Sequence, residues 1–227
     1  MAKTYLNSKF YGFDNHPASI EYARNKARKE GLSEDGIKFE VASSTNFPLA
    51  NGDSQYDLIA FFDCLHDMED PVGSAAHALE TLKKPDGIVM IVEPFANDRL
   101  EDNLNPLGRL FYAASTVVCV PASLSKNGPA LGAQAGEPGI SQVVKAGGFK
   151  HFKRATQTAF NIVYEAKARL QNCLVCFIQN YRNRNIDLQE YLNTKLSQGY
   201  NLLSCTRTGD GKDTDYEIIQ YIPEHIA

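Results

Sequence analysis

The sequence predicts an α/β fold: a doubly wound, mostly parallel sheet followed by a small α+β unit. Three observations carry that expectation. Short apolar strand patterns alternate with helix-length segments through the first two-thirds of the chain. Two strands, YDLIAFFD (56–63) and IVMIVEP (88–94), are nearly continuous apolar runs, the pattern of strands covered on both faces. After residue 168 the rhythm becomes strand, helix, strand, strand.

The elements follow in order. KFYGFD (9–14) is a short aromatic strand ending in an acid. HPASIEYARNKARKEG (16–31) reads as a helix, with Pro17 at its start, Gly31 at its end, and Ile20, Ala23 and Ala27 at helical spacing. IKFEVAS (37–43) is a second strand and YDLIAFFD a third. PVGSAAHALETLKKPDG (71–87) is a helix closed by Pro-Asp-Gly, and IVMIVEP is the next strand. A helical region near 106–120, a Gly/Pro/Ser-rich loop over 121–139 and a short helix at 140–148 come next. FKRATQT and FNIVYEA are close enough in sequence to form an antiparallel hairpin at the sheet edge. These elements make a first domain, 1–168. Residues 169–227 make a second, with strand LVCFIQNY, helix DLQEYLNTKLSQGY, and strands NLLSCTRTG and DYEIIQYIP. At that size it lies near the lower limit for folding alone.

Composition bounds the function. The chain has 227 residues, 43% hydrophobic and 22% charged, as in an ordinary globular protein. A net charge of -4 gives no electrostatic reason to expect nucleic acid or an anionic membrane as partner. There is no apolar run of about 18 residues, so no transmembrane helix is expected, and the first residues lack the apolar core of a signal peptide, so a cytoplasmic location is the default expectation. The five cysteines, Cys64, Cys119, Cys173, Cys176 and Cys205, are an odd, scattered set that reads as reduced thiols. Cys173 and Cys176 form a C-x-x-C inside a strand pattern, with no second pair or nearby His to complete a zinc site, so no metal is expected there.

In a doubly wound sheet, ligands bind at the carboxyl ends of the strands, so the residues just after each strand matter most. Asp14 ends the first strand, where a carboxylate can accept from both ribose hydroxyls of an adenosine; it could equally cap the following helix. Ser43 and Ser44 follow the second strand, near where an adenine edge would lie, or form a plain turn. The stretch from Asp63 to Pro71 is the densest polar cluster in the chain. In it His66 is the side chain best suited to remove a proton near neutral pH, with Asp67 or Glu69 able to orient it; a surface loop rich in capping acids is the other reading. Glu93 could face a substrate cleft or anchor the loop that follows.

With these positions identified, four ordered blocks resemble class I S-adenosylmethionine-dependent methyltransferases, a Rossmann-like family. They are FYGFDNHPASIEYAR, YDLIAFFDCLHDMEDP, HALETLKKPDGIVMIVEPFANDRLEDNLNP and AGGFKHFKRATQTAFNIVYEAK, spread over residues 1–168. The subgroup most resembled carries a winged-helix domain upstream. The resemblance implies methyl transfer from S-adenosylmethionine to a small-molecule acceptor. It implies that Asp14 holds the cofactor ribose and that Ser43 and Ser44 lie by the adenine, where many members have an Asp. It places Phe62 and Asp63 beside the methionine half. It makes His66 the general base of an H-D-W-x-D-like stretch, with Asp67 next to it and Met68 in the Trp position. By position, the segment 104–135 with Phe111 and Tyr112 is the substrate side, or else an ordinary packed helix and loop.

One departure stands out. In such folds a glycine-rich loop lies about 20 residues before the ribose acid. Counting back from Asp14 passes Met1, so the resemblance implies an N-terminally truncated domain without its first strand, the loop and most of the helix after it. That strand normally lies between those ending at Asp14 and Asp63. Its loss would leave a slot of roughly 10 Å bordered by unpaired backbone groups. Aggregation or dimerisation, a homo-oligomer, is then an expected state. A non-catalytic remnant or incomplete chain, acting as scaffold or interaction protein, is the alternative to an active enzyme. A nicotinamide-dependent oxidoreductase shares the strand-end acid but not the blocks after residue 55. The tail's G-Y-N-L-L-S pattern resembles a small domain family in which a helix and a Gly-aromatic-x-Leu strand recur.

Overall fold

The structure, a computed structural model, describes residues 1–52 and 55–168, and the backbone of strand residues 200–202, 205–208, 215–218 and 221–223. The chain divides into two units, Met1–Ala168 and Arg169–Ala227.

The first unit opens with strand β1 (Phe10–Asp14), helix α1 (Pro17–Lys29) and strand β2 (Ile37–Val41), with β1 and β2 paired in parallel from Phe10↔Ile37 to Asp14↔Val41. Pro17 sits in the first turn of α1, where a missing N–H costs nothing. Gly31 ends the helix at a φ of 71°, a left-handed conformation that glycine adopts without strain. Arg24 on α1 donates through Nε and Nη2 to the Phe39 carbonyl at 2.8 and 2.6 Å, pinning the helix across β2.

A second sheet follows the order β3 (Leu58–Phe62), β4 (Ile88–Pro94), β6 (Asn161–Lys167), β5 (His151–Gln157). β3 and β4 are parallel; β6 runs antiparallel to β4 and forms the expected hairpin with β5 at the edge. Helix α2 (Pro71–Thr81) and a later helix, Gly136–Ala146, belong to the same core. α2 starts cleanly because the Asp70 carboxylate accepts from the Gly73 N–H at 2.7 Å with Pro71 in the first turn. The core is formed by Ile59, Phe61, Val89, Ile91, Ile162, Tyr164 and Ala166 of the sheet, closed by Ala75, Ala78, Leu82, Ile140, Val143 and Val144.

On β3, one face is covered among the described residues and the other is not. Ile59 and Phe61 are buried, but Leu58, Ala60 and Phe62 alternate with them and are exposed, Phe62 at 57%. The expectation of a strand buried on both faces therefore holds for one face of β3 and fails on the other. The apolar run in the sequence marks two apolar faces, and the described residues lay helices against one of them.

β1–β2 and β3–β4–β6–β5 are two sheets: among the described residues no strand is hydrogen-bonded between β1 and β3. Aromatic contacts join them instead. Phe13 of β1 stacks on Phe47 with ring centres 5.3 Å apart, and Tyr56, just before β3, meets Phe47 edge-on at 5.9 Å and Tyr11 at 5.7 Å.

After β4 the chain forms α3 (Pro106–Ala114), a π-helical turn (Ser115–Cys119), α4 (Val120–Leu124) and then α5 (Gly136–Ala146). Pro121 explains the wide turn. It has no N–H to give the Val117 carbonyl and its ring crowds that carbonyl, so the helix widens instead of breaking. α3, the π turn and α4 make one continuous 19-residue helix, Pro106–Leu124, long and apolar enough in composition to cross a membrane. The expectation of no such segment passes over it because Arg109, Ser115, Thr116 and Pro121 interrupt the run, although its average composition still reaches that of a spanning helix. The helix also extends into the segment read as a loop from residue 121, and α5 begins at Gly136 rather than 140.

In the second unit β8 (Cys205–Thr208) pairs antiparallel with β9 (Asp215–Ile218), and β7 (Tyr200–Leu202) with β10 (Tyr221–Pro223). Of these, β8 falls within the first of the last two expected strands and β7 overlaps its start, while β9 and β10 fall within the second. The expected strand LVCFIQNY and the helix before Tyr200, with Cys173 and Cys176, lie outside the described residues.

Candidate functional site

The polar segment after β3 is shaped by its first residue. Asp63 has a φ of 46°, a left-handed conformation that Asp tolerates better than most side chains. Its N–H still donates to the Val92 carbonyl at 2.8 Å, so the chain leaves the sheet one residue after β3 and turns sharply. A short 3₁₀ turn, Leu65–Asp67, follows. Leu65 is fully buried and anchors it; His66 is 4% exposed.

His66 is held by Glu93, near the end of β4. Glu93 Oε2 lies 2.5 Å from His66 Nδ1, and Oε1 accepts from the Leu65 N–H at 3.0 Å. Glu93 is itself 3% exposed. Both carboxylate oxygens thus face donors, which the ionised carboxylate satisfies without a proton of its own. Nδ1 carries the hydrogen in that arrangement, and in the neutral ring Nε2 keeps its lone pair. Nε2 lies 3.3 Å from Cys119 Sγ.

Burial alone would push His66 below its usual value, but the hydrogen bond and charge of Glu93, with Asp67 and Asp63, outweigh it and hold the imidazole above. Burial pushes Glu93 up, opposed by His66 and the Leu65 N–H. We take the imidazole's rise as the governing direction, because both hydrogen bonds favour the carboxylate. Burial likewise raises Asp67, despite His66 beside it. Cys64 is pushed up to about 12, mainly by burial and then by Glu93.

Cys119 is placed by the helix that carries it. Ser115, Cys119 and Ser123 stand at i, i+4 and i+8, one inward stripe, while Leu110, Val117, Val118 and Leu124 are exposed. The two serines on this stripe are buried and bonded. Ser123 Oγ donates to the Met68 carbonyl at 3.0 Å and accepts from the Ala130 N–H at 3.1 Å. Ser115 Oγ accepts from the Ala133 N–H at 3.0 Å. The Gly132 N–H donates to the His66 carbonyl at 3.1 Å. The helix, the 130–133 loop and the His66 turn are therefore stitched together around Cys119. Gly128 permits the approach: a Cβ there would lie 2.8 Å from the Met68 carbonyl oxygen.

Of the residues expected from sequence, His66 and Asp67 come together here. Donor atoms of His66, Asp67 and Cys119 all lie within 4.8 Å of one another. Asp63 turns elsewhere, its Oδ1 accepting from Asn161 Nδ2 at 2.9 Å. Phe62 exposes its ring at the end of β3. Asp14 is exposed at the end of β1, with Oδ1 accepting from the His16 N–H at 2.8 Å. It does not cap α1, whose N-cap residue is His16. Ser43 and Ser44 are committed locally: Ser43 Oγ is 2.9 Å from Thr45 Oγ1, and Ser44 Oγ is 2.7 Å from Ser74 Oγ on α2.

Two corrections follow. Neither neighbour of His66 in sequence makes the hydrogen bond that orients it; Glu93 does, from 27 residues away. Glu93 is thus buried against the imidazole rather than facing a cleft. Sequence reasoning misses Cys119 as a partner of His66, although the Ser-Cys-Ser stripe at helical spacing is readable.

A family model described as "Methyltransferase domain" matches residues 1–129. No curated protein matches the chain in sequence. Among solved structures, PigF with SAH is similar over 73% of this chain and 45% of its own, at 15% identity and a TM-score of 0.55. A putative O-methyltransferase from Nostoc punctiforme is similar over 73% of this chain and 46% of its own, at 18% identity and a TM-score of 0.52. Human N-acetylserotonin methyltransferase in complex with SAM is similar over 73% and 42%, at 20% identity and a TM-score of 0.50. These likenesses show the fold, and the chain spans less than half the length of each of the three.

Proposed function

The chain belongs to the methyltransferase-domain family, and on that premise we propose that it takes part in methyl transfer from S-adenosylmethionine to a small-molecule acceptor, with His66 as the base. The observation that carries this reading is the buried Glu93–His66 pair, which presents Nε2 rather than Nδ1 to the side where Cys119 and Asp67 lie. A base with its second nitrogen locked by a carboxylate keeps one tautomer and one orientation.

The residues present fit part of the cofactor. Asp14 is exposed at a strand end, with one carboxylate oxygen used by the His16 N–H and the other available to a ribose hydroxyl. Phe62 offers an exposed ring at the end of β3. Ser43 and Ser44 fit less well, since their hydroxyls are already paired. When bound, the cofactor supplies an electrophilic sulfonium methyl. The chain's part is to orient the acceptor, and His66 Nε2 takes the acceptor proton where one must leave.

Calorimetry with S-adenosylhomocysteine tests the reading. Saturable heat is the expected result; none at millimolar ligand would sink cofactor binding by this chain. The separation of β1 from β3 favours one second reading, a scaffold that binds no cofactor by itself, and the same titration discriminates the two.

A further inference from the structure

We propose that His66, Asp67 and Cys119 form a binding site for a zinc-like divalent metal ion. Three donor atoms of different kinds, an imidazole nitrogen, a carboxylate oxygen and a thiol sulfur, converge within 4.8 Å of one another. They come from separate places in the chain, a 3₁₀ turn and a π-helical turn 53 residues apart. In a tetrahedral zinc site the Zn–N bond is about 2.0–2.1 Å and Zn–S about 2.3 Å, which sets neighbouring donors roughly 3.5 Å apart. His66 Nε2 and Cys119 Sγ are already 3.3 Å apart.

An independent observation points the same way. Metal-bound histidines characteristically give their other ring N–H to a carboxylate, which fixes the ring and strengthens it as a ligand. Glu93 holds His66 in that manner from a buried position, its other carboxylate oxygen accepting from the Leu65 N–H. Cys119 is braced by bonded serines one helical turn to either side, Ser115 and Ser123. The ligand set decides the metal. A thiolate with an imidazole and one carboxylate suits zinc, whereas magnesium and calcium take oxygen ligands.

The charges of the directly bound groups balance the ion, and the Glu93 carboxylate behind His66 adds one further negative charge. Thiolate and carboxylate contribute two negative charges against the dication, with the imidazole neutral, and the thiol proton passes to solvent. Three protein ligands leave a fourth position for water or an incoming anion. Metal on Nε2 excludes proton removal by Nε2, so occupancy would switch off any base role of His66. The site itself does not depend on methyl transfer: a failed titration with S-adenosylhomocysteine leaves it untouched.

The test uses the full chain, freed of metal by a chelator and titrated with Co²⁺ and then Zn²⁺. One equivalent should bind, Co²⁺ should give thiolate-to-metal charge transfer, and Zn²⁺ should displace it. Cys119→Ser should abolish the charge-transfer band, and Glu93→Gln should weaken affinity roughly 10–100-fold while circular dichroism shows the fold kept. A band that survives in Cys119→Ser, or that is lost instead in Cys173→Ser/Cys176→Ser, overturns the site. Should Cys119→Ser fail to fold, alkylation of the unmodified chain decides. Zn²⁺ should protect Cys119 from iodoacetamide by mass spectrometry, and equal labelling with and without Zn²⁺ overturns the proposal.

Discussion

Glu93 Oε2 and His66 Nδ1 meet at 2.5 Å across 27 residues of chain, both side chains 4% exposed. The pair makes the imidazole's protonation, in the turn after β3, depend on a residue of β4. In metal-free protein, the His66 ring should titrate above its usual 6.5, because Glu93, Asp67 and Asp63 outweigh the burial that opposes them. Glu93→Gln removes the largest favourable partner and leaves the burial, so the midpoint should fall below that of the unmodified chain. Imidazole resonances followed by NMR against pH measure this directly. A midpoint unmoved by the substitution would show that Glu93 does not govern His66.

The same shift has a consequence for stability. A group whose pKa is raised on folding stabilises fully below its unfolded value and loses that contribution as pH climbs through the folded one. For His66 the loss begins near 6.5 and is complete above the raised value. Where an acceptor must lose a proton, methyl transfer should change in the opposite sense, rising over that window as His66 becomes neutral. His66→Asn should then cost about 10²–10⁴ in rate and flatten the limb. Urea midpoints and rates measured over one pH series check both signs.

Tyr56 gives a second, separable pH effect. Burial, with smaller contributions from Tyr11 and Glu40, raises its hydroxyl to about 12, and that hydroxyl donates to the Pro48 carbonyl at 2.7 Å. Its contribution is present below 10 and is lost as pH rises toward 12. Ultraviolet titration should show a late phenolate step that Tyr56→Phe removes.

How far the sequence shows these features follows from the distance over which each is set. Strands β3 and β4, helix α1 and the β5–β6 hairpin are local patterns of apolar spacing, Pro and Gly, and they stand where expected. His66 and Asp67 are legible because strand ends carry the ligands in this class of sheet. Glu93 as the partner of His66 is not, because strand pairing decides which strand-end acid reaches which turn. The exposed face of β3 is hidden for a related reason: Leu58, Ala60 and Phe62 are as apolar as Ile59 and Phe61, and a hydrophobic residue does not state what covers it. The helix past residue 121 escapes a sequence reading because Pro121 normally signals a stop, and here a π turn absorbs it.

Ser123 should be a structural linchpin. It is fully buried, gives its hydrogen to Met68 and takes the Ala130 N–H. Ser123→Ala leaves a carbonyl and an N–H without their partner, which costs about 1–3 kcal/mol. A urea midpoint lowered with an unchanged slope would match that cost. A change within experimental error would mean that water or a shifted loop replaces the hydroxyl.

Asp14 and Ser44 separate binding from folding. Asp14 is exposed and holds one backbone N–H, so Asp14→Asn should leave stability within about 0.5 kcal/mol. If its carboxylate receives the ribose, losing a charged hydrogen bond of about 1.5–3 kcal/mol should weaken S-adenosylhomocysteine about 10–150-fold. Ser44 is the reverse case. Its hydroxyl is spent on Ser74, which is 1% exposed. Ser44→Ala should therefore lower stability by roughly 1 kcal/mol and leave the affinity unchanged. The two variants, measured by calorimetry and by urea unfolding, should produce opposite pairs of results. A binding loss in Ser44→Ala with none in Asp14→Asn would move the cofactor's polar contacts from the end of β1 to the turn after β2.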